Sequence, residues 1–316
     1  MTRMSLRDVS RLACVLALVT VVVALTVRVP APDEGPASAA QEHAEPRPTR
    51  GASHAVDDAL RHRERALERL QRVTDRAHVA VSVRDQASGA AFDYGSGRFP
   101  TASLVKIHLA ALMSWRAERS GEELTATQRR DIEQMLVRSE NEPALRAYFA
   151  LGGSPGIEHG LDAAFGKTGV NVGDQGYWGH SFTTPREVVA LLDRVLDPGA
   201  WGTYAFLQDA MARVTPELRW GITALADDES MTQVKVGFVE DAEGWVVNSS
   251  GRVVVDGGPV VISVMTDRNS TLEAGVATIE EVARLVGEVV RAERATGAVS
   301  WKDLGTTIRE GQGYAA

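Results

Sequence analysis

The stretch Phe99-Pro100-Thr101-Ala102-Ser103-Leu104-Val105-Lys106 decides how the chain is read, and it runs without a breaker into Ile107-His108-Leu109-Ala110-Ala111-Leu112-Met113. Pro100 and Thr101 suit the start of a helix, so Ser103 and Lys106 are expected in its first turn. Three residues apart, a hydroxyl and an amine lie on one helical face, close enough to share a proton. The positive end of the helix dipole favours an anion forming at Ser103. Ser-x-x-Lys alone is unspecific, since a serine at a helix start followed by a solvated lysine gives the same pattern. The apolar run that follows tips the balance, because a helix this apolar is buried and carries Lys106 inward with it.

A serine hydroxyl is a weak nucleophile until something takes its proton. Lys106 does so only when neutral, and bringing an amine from ~10.4 to about 7 costs roughly 4.6 kcal/mol, which needs burial and a second cation nearby. Lys235 is the natural second cation. It lies in Gln233-Val234-Lys235-Val236-Gly237, expected as a strand whose alternation puts Lys235 and Gly237 on the face opposite Val234 and Val236. Gly237 allows close approach to the strand backbone, although a lysine here equally suits an edge strand guarded against aggregation. Ser139-Glu140-Asn141 precedes a helix expected from Pro143. Ser139 or Asn141 suits its cap; in an active site Ser139 would instead relay a proton to a leaving group, and Asn141 would position Lys106 or the substrate.

With 34 basic against 42 acidic residues and no long basic run outside the N-terminal third, nucleic acid is not an expected partner. The seven histidines show neither His-Glu-x-x-His nor a close pair, and Cys14 is the only cysteine. No metal, cofactor or disulfide framework is therefore expected. Arg3, Arg7 and Arg11 mark residues 1–11 as a cytoplasmic basic segment, ahead of an uncharged apolar run from Leu12 to Val27 that Arg28 closes. At about 16 residues the run falls between a signal-peptide core and a full span. Ala37-Ser38-Ala39 resembles a cleavage site but lies about 10 residues beyond it. Residues 12–29 are therefore taken as a membrane anchor, with a cleaved signal as the alternative. Either way the globular part is exported, anchored at the outer face of the plasma membrane or secreted, where a cysteine-free domain needs no redox protection. It is expected to be a monomer.

Residues 30–52, rich in Pro, Ala and Glu, suit a flexible linker. One globular domain is expected over residues 53–293, followed by a polar tail over 294–316. Inside it, Val56, Leu60, Leu67, Leu70 and Val73 form the stripe of a helix ending at Arg76. Val79, Val81 and Val83 alternate as a strand, and the turn Gln86-Ala87-Ser88-Gly89 leads to a second strand ending at Tyr94. From Ser103 to about Asp228 the pattern is mainly helical, with helices over 124–137 and 143–151 and a glycine-rich loop over 166–182. Thr184-Pro185-Arg186-Glu187 forms a capping box, which accounts for Glu187 better than a catalytic role. Strands over 232–239, 245–255 and 260–266 and a helix opened by Ser270-Thr271-Leu272-Glu273 complete the domain. The result is an α/β fold: an antiparallel sheet flanked by N- and C-terminal helices, plus an inserted all-α lobe. The Ser103 helix lies between the two parts, where pockets form readily.

Phe-x-x-Ala-Ser-x-x-Lys, Ser-x-Asn and a Lys-x-Gly strand, in that order, resemble the serine β-lactamase and penicillin-binding-protein superfamily, above all its class A β-lactamase branch. The resemblance spans about Ser53 to Ala292, and Thr183 to Leu192 resembles the helix after the omega loop of that branch. It implies Ser103 as acylated nucleophile, Lys106 as base or proton shuttle, Ser139 and Asn141 as relay and positioner, and Lys235 as electrostatic partner. It further implies an oxyanion hole from the backbone N–H groups of Ser103 and Phe238, a substrate-binding strand of Val236, Gly237 and Phe238, and a small-molecule β-lactam or peptidoglycan-like substrate.

Three departures bear on function. The branch hydrolyses its acyl-enzyme with water activated by an omega-loop glutamate in a Glu-x-x-Leu-Asn pattern, whereas Lys167 to Phe182 has no glutamate and only one carboxylate, Asp174. Val236 replaces a hydroxyl that helps the family bind a substrate carboxylate, a loss on the order of 1–3 kcal/mol. Ser103 and Ser139 lie only 36 residues apart, which implies a trimmed lobe, and Glu140 stands for the usual Asp. The expectation is a serine hydrolase that acylates and turns over slowly. The alternatives are a DD-peptidase-like peptidoglycan enzyme, which Val236 compromises, and a non-catalytic cell-envelope binding module on the same scaffold.

Overall fold

The computed structural model describes residues 50–173, 178–197 and 202–296. The expected basic segment and apolar run, most of the linker, nearly all of the tail and Asp174 lie outside the described residues. Among the described residues no helix is long and apolar enough to cross a membrane.

Helix α1 (Arg50–Arg76) starts inside the expected linker. Its buried positions Arg63, Ala66, Leu70 and Val73 recur at three- and four-residue spacing, one stripe turned inward. Strands β1 (Val79–Asp85) and β2 (Ala91–Tyr94) form the expected hairpin. After the helical middle come β5 (Gln233–Asp241), β6 (Gly244–Val255) and β7 (Gly258–Asn269), then helix α8 (Leu272–Ala295). These strands make one antiparallel sheet in the order β2-β1-β7-β6-β5, so β5 is a free edge.

One face of the sheet presents Val81, Val83, Val234, Val236, Val253 and Ile262 to Leu70, Ile279, Val282 and Val286 of α1 and α8. Two ion pairs lock these helices. The Arg294 guanidinium grips Asp85 of β1 at 2.8 and 3.0 Å, and Arg63 of α1 donates to Glu293 at 2.7 Å. Arg294 thus pins the last turn of α8 to β1.

The opposite face carries the helical lobe. A two-stranded ribbon, β3 (Phe99–Pro100) with β4 (Phe182–Thr183), leads into a 3₁₀ turn over Ala102–Leu104 and helix α2 (Val105–Ser120). Every residue of α2 from Val105 to Ser114 is buried, as its all-round apolar sequence requires. Around it pack α3 (Ala126–Val137), α4 (Asn141–Ala150), α5 (Gly153–Phe165), α6 (Pro185–Val195) and α7 (Thr203–Ala212). Helix α6 opens with the expected capping box, Thr184 with Glu187, and Glu187 also accepts from Thr183 at 2.9 Å. Helix α5 was not singled out in the sequence. Gly152 and Gly153, just past the expected helix over 143–151, both adopt positive φ (+98° and +66°) and turn the chain directly into it.

His108, one turn along α2, is fully buried, and neither ring nitrogen finds a partner of good geometry. Burial pushes its pKa down to about 4, against weaker upward pulls from the Leu104 carbonyl and the Glu187 carboxylate. The unfolded chain then binds one more proton than the folded one between pH ~6.5 and about 4. Stability is complete above that window and falls as the pH drops through it, by about 3 kcal/mol in all. Denaturant titrations from pH 7 to 4 should show this loss, and His108→Leu should flatten the slope.

Candidate active site

Ser103, Lys106, Ser139, Asn141 and Lys235 converge where the helical lobe meets the sheet. The Ser103 hydroxyl, in the 3₁₀ turn, lies 2.9 Å from the Lys106 amine in the first turn of α2. That amine donates to the Ser139 carbonyl at 2.6 Å and to Asn141 Oδ1 at 2.8 Å, with the Ser139 hydroxyl at 3.3 Å. Lys235 donates to the same Ser139 hydroxyl at 2.8 Å and to the Val236 carbonyl at 2.8 Å. Both lysines are 0% exposed.

Local structure sets each side chain. The Glu140 N–H reaches back to the Gln134 carbonyl at 3.1 Å, closing a turn in which Ser139 takes φ +60°. A non-glycine residue in that region is uncommon and costs free energy, and such strain gathers at functional sites. Neither Ser139 nor Asn141 caps α4: the cap position is Glu140, with no side-chain cap bond. The Asn141 carbonyl is committed to Lys106 instead. Nor is Lys235 a solvated edge lysine, since its amine points into the lobe.

Gly237 stands one pleat along β5 from Lys235. A Cβ there would meet Thr101 O at 2.8 Å and the Leu104 and Ser103 backbone nitrogens at 2.9 Å each. No side chain fits, because the edge strand lies directly against the turn carrying Ser103. Asn248, paired with Gly237 across β6, fixes that contact by donating to the Pro100 and Thr101 carbonyls at 2.9 and 3.2 Å.

One expected substrate-binding residue is placed differently. Val236 is 1% exposed and packs in the core behind the sheet, so its side chain offers nothing to the Ser103 side. The reason is the strand pleat: Lys235 and Gly237 face the lobe, so 236 cannot. Phe238, 39% exposed at the free edge, leans on Trp220 with ring centroids 6.1 Å apart.

Burial drives both amine pKa values down. Lys106 falls to about 8. Lys235 falls well below its ordinary value, through burial first and the Lys106 charge second. A neutral amine has two N–H donors and one lone pair. The Ser139 carbonyl and Asn141 Oδ1, which only accept, take the donors and leave the lone pair for the Ser103 proton. Among the described residues no carboxylate hydrogen-bonds to Ser103, Lys106, Ser139 or Lys235. Glu158 and Asp162, near the glycine-rich loop, accept from the backbone of Val172 and Thr168, and Glu187 is used at its cap. No group of His, Cys, Asp and Glu able to hold a metal occurs among the described residues.

The sequence reading did not find Asn248 or Trp178, whose ring lies over the Lys106 amine with its centroid 5.3 Å away. One compositional signal marks the site. The chain holds only four lysines, Lys106, Lys167, Lys235 and Lys302, against thirty arginines. Two of the four are in this cluster, where a cation must lose its proton and arginine cannot.

No protein-family model and no curated protein matches this chain. Solved structures do. A class A β-lactamase from Bacteroides cellulosilyticus superposes with a TM-score of 0.61 at 16% identity, covering 73% of this chain and 99% of its own. An ancestral class A β-lactamase (GNCA) gives 0.58 at 22% identity over 70% and 98% of the two chains. The TLA-3 extended-spectrum β-lactamase gives 0.60 at 16% identity over 71% and 98%. These likenesses establish a class A β-lactamase-like fold.

Gly237→Ala should destabilise the protein by about 2 kcal/mol, through overpacking against backbone that cannot yield. Gly179→Ala, with nothing within 4 Å of the added carbon, is the matched control. Thermal melting of both variants checks this, with a drop of about 5 °C expected for the first alone.

Proposed function

We propose that the protein is a serine hydrolase that forms an acyl-enzyme through Ser103 on a β-lactam or related amide or ester. The observation that carries this reading is the 2.9 Å contact between the Ser103 hydroxyl and a fully buried Lys106 amine whose other partners are acceptors. Neutral Lys106 takes the hydroxyl proton while Ser103 Oγ attacks the carbonyl carbon. The carbonyl oxygen, now negative, is held by the backbone N–H groups of Ser103 and Phe238. The Lys106 proton passes to Ser139 Oγ as that hydroxyl gives its own to the leaving nitrogen, and the carbon–nitrogen bond breaks. Lys235 orients Ser139 and favours the neutral form of Lys106.

The alternative of a binding module without catalysis fits the burial less well. Two amines held out of water cost several kcal/mol that an inert scaffold avoids with apolar residues. A DD-peptidase shares the chemistry, and with residue 236 turned into the core it would have to bind its substrate carboxylate through other groups. The Arg3–Arg11 segment and the apolar run from Leu12 to Val27 support export, with the domain anchored to or released from the outer face of the membrane.

Exposure to a penicillin should add one equivalent of mass, accumulating because among the described residues no carboxylate hydrogen-bonds to Ser103 or Lys106. The adduct should vanish in Ser103→Ala and in Lys106→Arg, whose guanidinium keeps its proton. Absence of any adduct with β-lactams and activated esters would remove this reading. The acylation rate should rise with pH and level off above about 8, since the reactive Lys106 is the deprotonated form; stopped-flow labelling from pH 6 to 10 measures it.

A further inference from the structure

The unassigned neighbour of the amine pair is Trp178. It opens a 3₁₀ turn (Trp178–His180) whose hold on the nucleophile is direct. The Ser181 N–H donates to the Trp178 carbonyl at 3.2 Å, and the Thr101 N–H, two residues before Ser103, donates to the Ser181 carbonyl at 2.7 Å. Trp178 is partly buried and packs against the lobe core. The three hydrogen-bonding directions of the Lys106 amine are taken by Ser103, Ser139 and Asn141, and the indole ring lies beside them with its centroid 5.3 Å from the nitrogen. A water between amine and ring needs about 6 Å, one hydrogen bond plus one van der Waals contact. The 5.3 Å separation leaves no room for it.

We infer that Trp178 is a positioning residue that keeps water off Lys106, so that the site retains an acyl group on Ser103 rather than releasing it. The inference rests on the acyl-enzyme reading above. Hydrolysis requires a water whose oxygen adds to the acyl carbon as its proton goes to neutral Lys106. The carbon–Ser103 Oγ bond then breaks, and Lys106 returns the proton to Ser103. Among the described residues no carboxylate hydrogen-bonds in the cluster, so Lys106 is the base within reach; once Ser103 is acylated its lone pair is open to water, and the indole crowds the space beside it. Removing the ring opens that position. Besides Ser139 and Asn141, the charged group that faces this amine is Lys235, through the shared Ser139 hydroxyl.

The test uses the full chain, its Trp178→Phe and Trp178→Ala variants, and a fluorescent penicillin. Excess label is removed and the half-life of the adduct is followed. Trp178→Ala should shorten the half-life about tenfold or more, the scale of general-base assistance to water. Its acylation rate on the high-pH plateau of each protein, where Lys106 is neutral with or without the ring, should stay within about threefold, and Trp178→Phe should behave as the parent. Trp178→Leu, expected to be intermediate, serves if Trp178→Ala does not fold. An unchanged or longer half-life in a folded Trp178→Ala overturns the inference. Independently, lysine-selective NMR follows the Lys106 titration in the unlabelled proteins, which is tractable with four lysines. Loss of the ring should move that titration upward as water reaches the amine, and an unmoved titration overturns the inference. If the parent forms no adduct, the acyl-enzyme reading fails, and the titration alone decides whether Trp178 excludes water.

Discussion

Two amines share one serine hydroxyl, and the rest of the site follows from that. Lys106 and Lys235 both hydrogen-bond to Ser139 Oγ, at 3.3 and 2.8 Å. Their nitrogens are therefore within about 6 Å of each other, where two full charges at an effective dielectric near 20 repel by roughly 3 kcal/mol. With water removed from both, the pair sheds a proton more readily than either lysine alone. Nothing acidic among the described hydrogen-bond partners opposes this. The carbonyls around Lys106 are arranged for the form that remains, an amine with one lone pair to offer.

Keeping two amines dry calls on most of the architecture. The ten buried residues opening α2 carry Lys106 into the lobe and seal it there. The left-handed Ser139 turns both its hydroxyl and its carbonyl toward the same point. Strand β5 delivers Lys235 from the other layer, and it comes close enough only because Gly237 has no side chain. Asn248, deep in β6, holds the strand and the nucleophile turn in register. Each device is unremarkable in isolation, and together they fix one distance, from hydroxyl to amine.

Much of this was legible in the sequence, for definite reasons. Alternation in Val79–Val83 and in Gln233–Gly237, the apolar run after Ser103, and the Thr184–Glu187 capping box are local codes, and the structure follows each one. The five polar residues of the cluster were found because their types and order are constrained by chemistry. What stayed hidden depends on contacts distant in sequence. Asn248 reads as a strand asparagine, and only its pairing with Gly237 gives it a task. Trp178 sits in a glycine-rich stretch with no periodicity, and its place over Lys106 comes from the Ser181–Thr101 hydrogen bond. Val236 was misplaced for another reason: the motif gave it a binding role, while the pleat that orients Lys235 turns it away.

Ser103 rides on the helical lobe and Lys235 on the sheet, each bedded in its own apolar core. The cluster is thus a seam between two solid bodies. A slip of about one ångström along it would stretch the 2.8 Å Lys235–Ser139 bond past useful length while leaving both interiors packed. The alignment of the cluster is then the most fragile property of the molecule. Gentle warming or a little urea would upset it first, with helices, strands and compactness still in place.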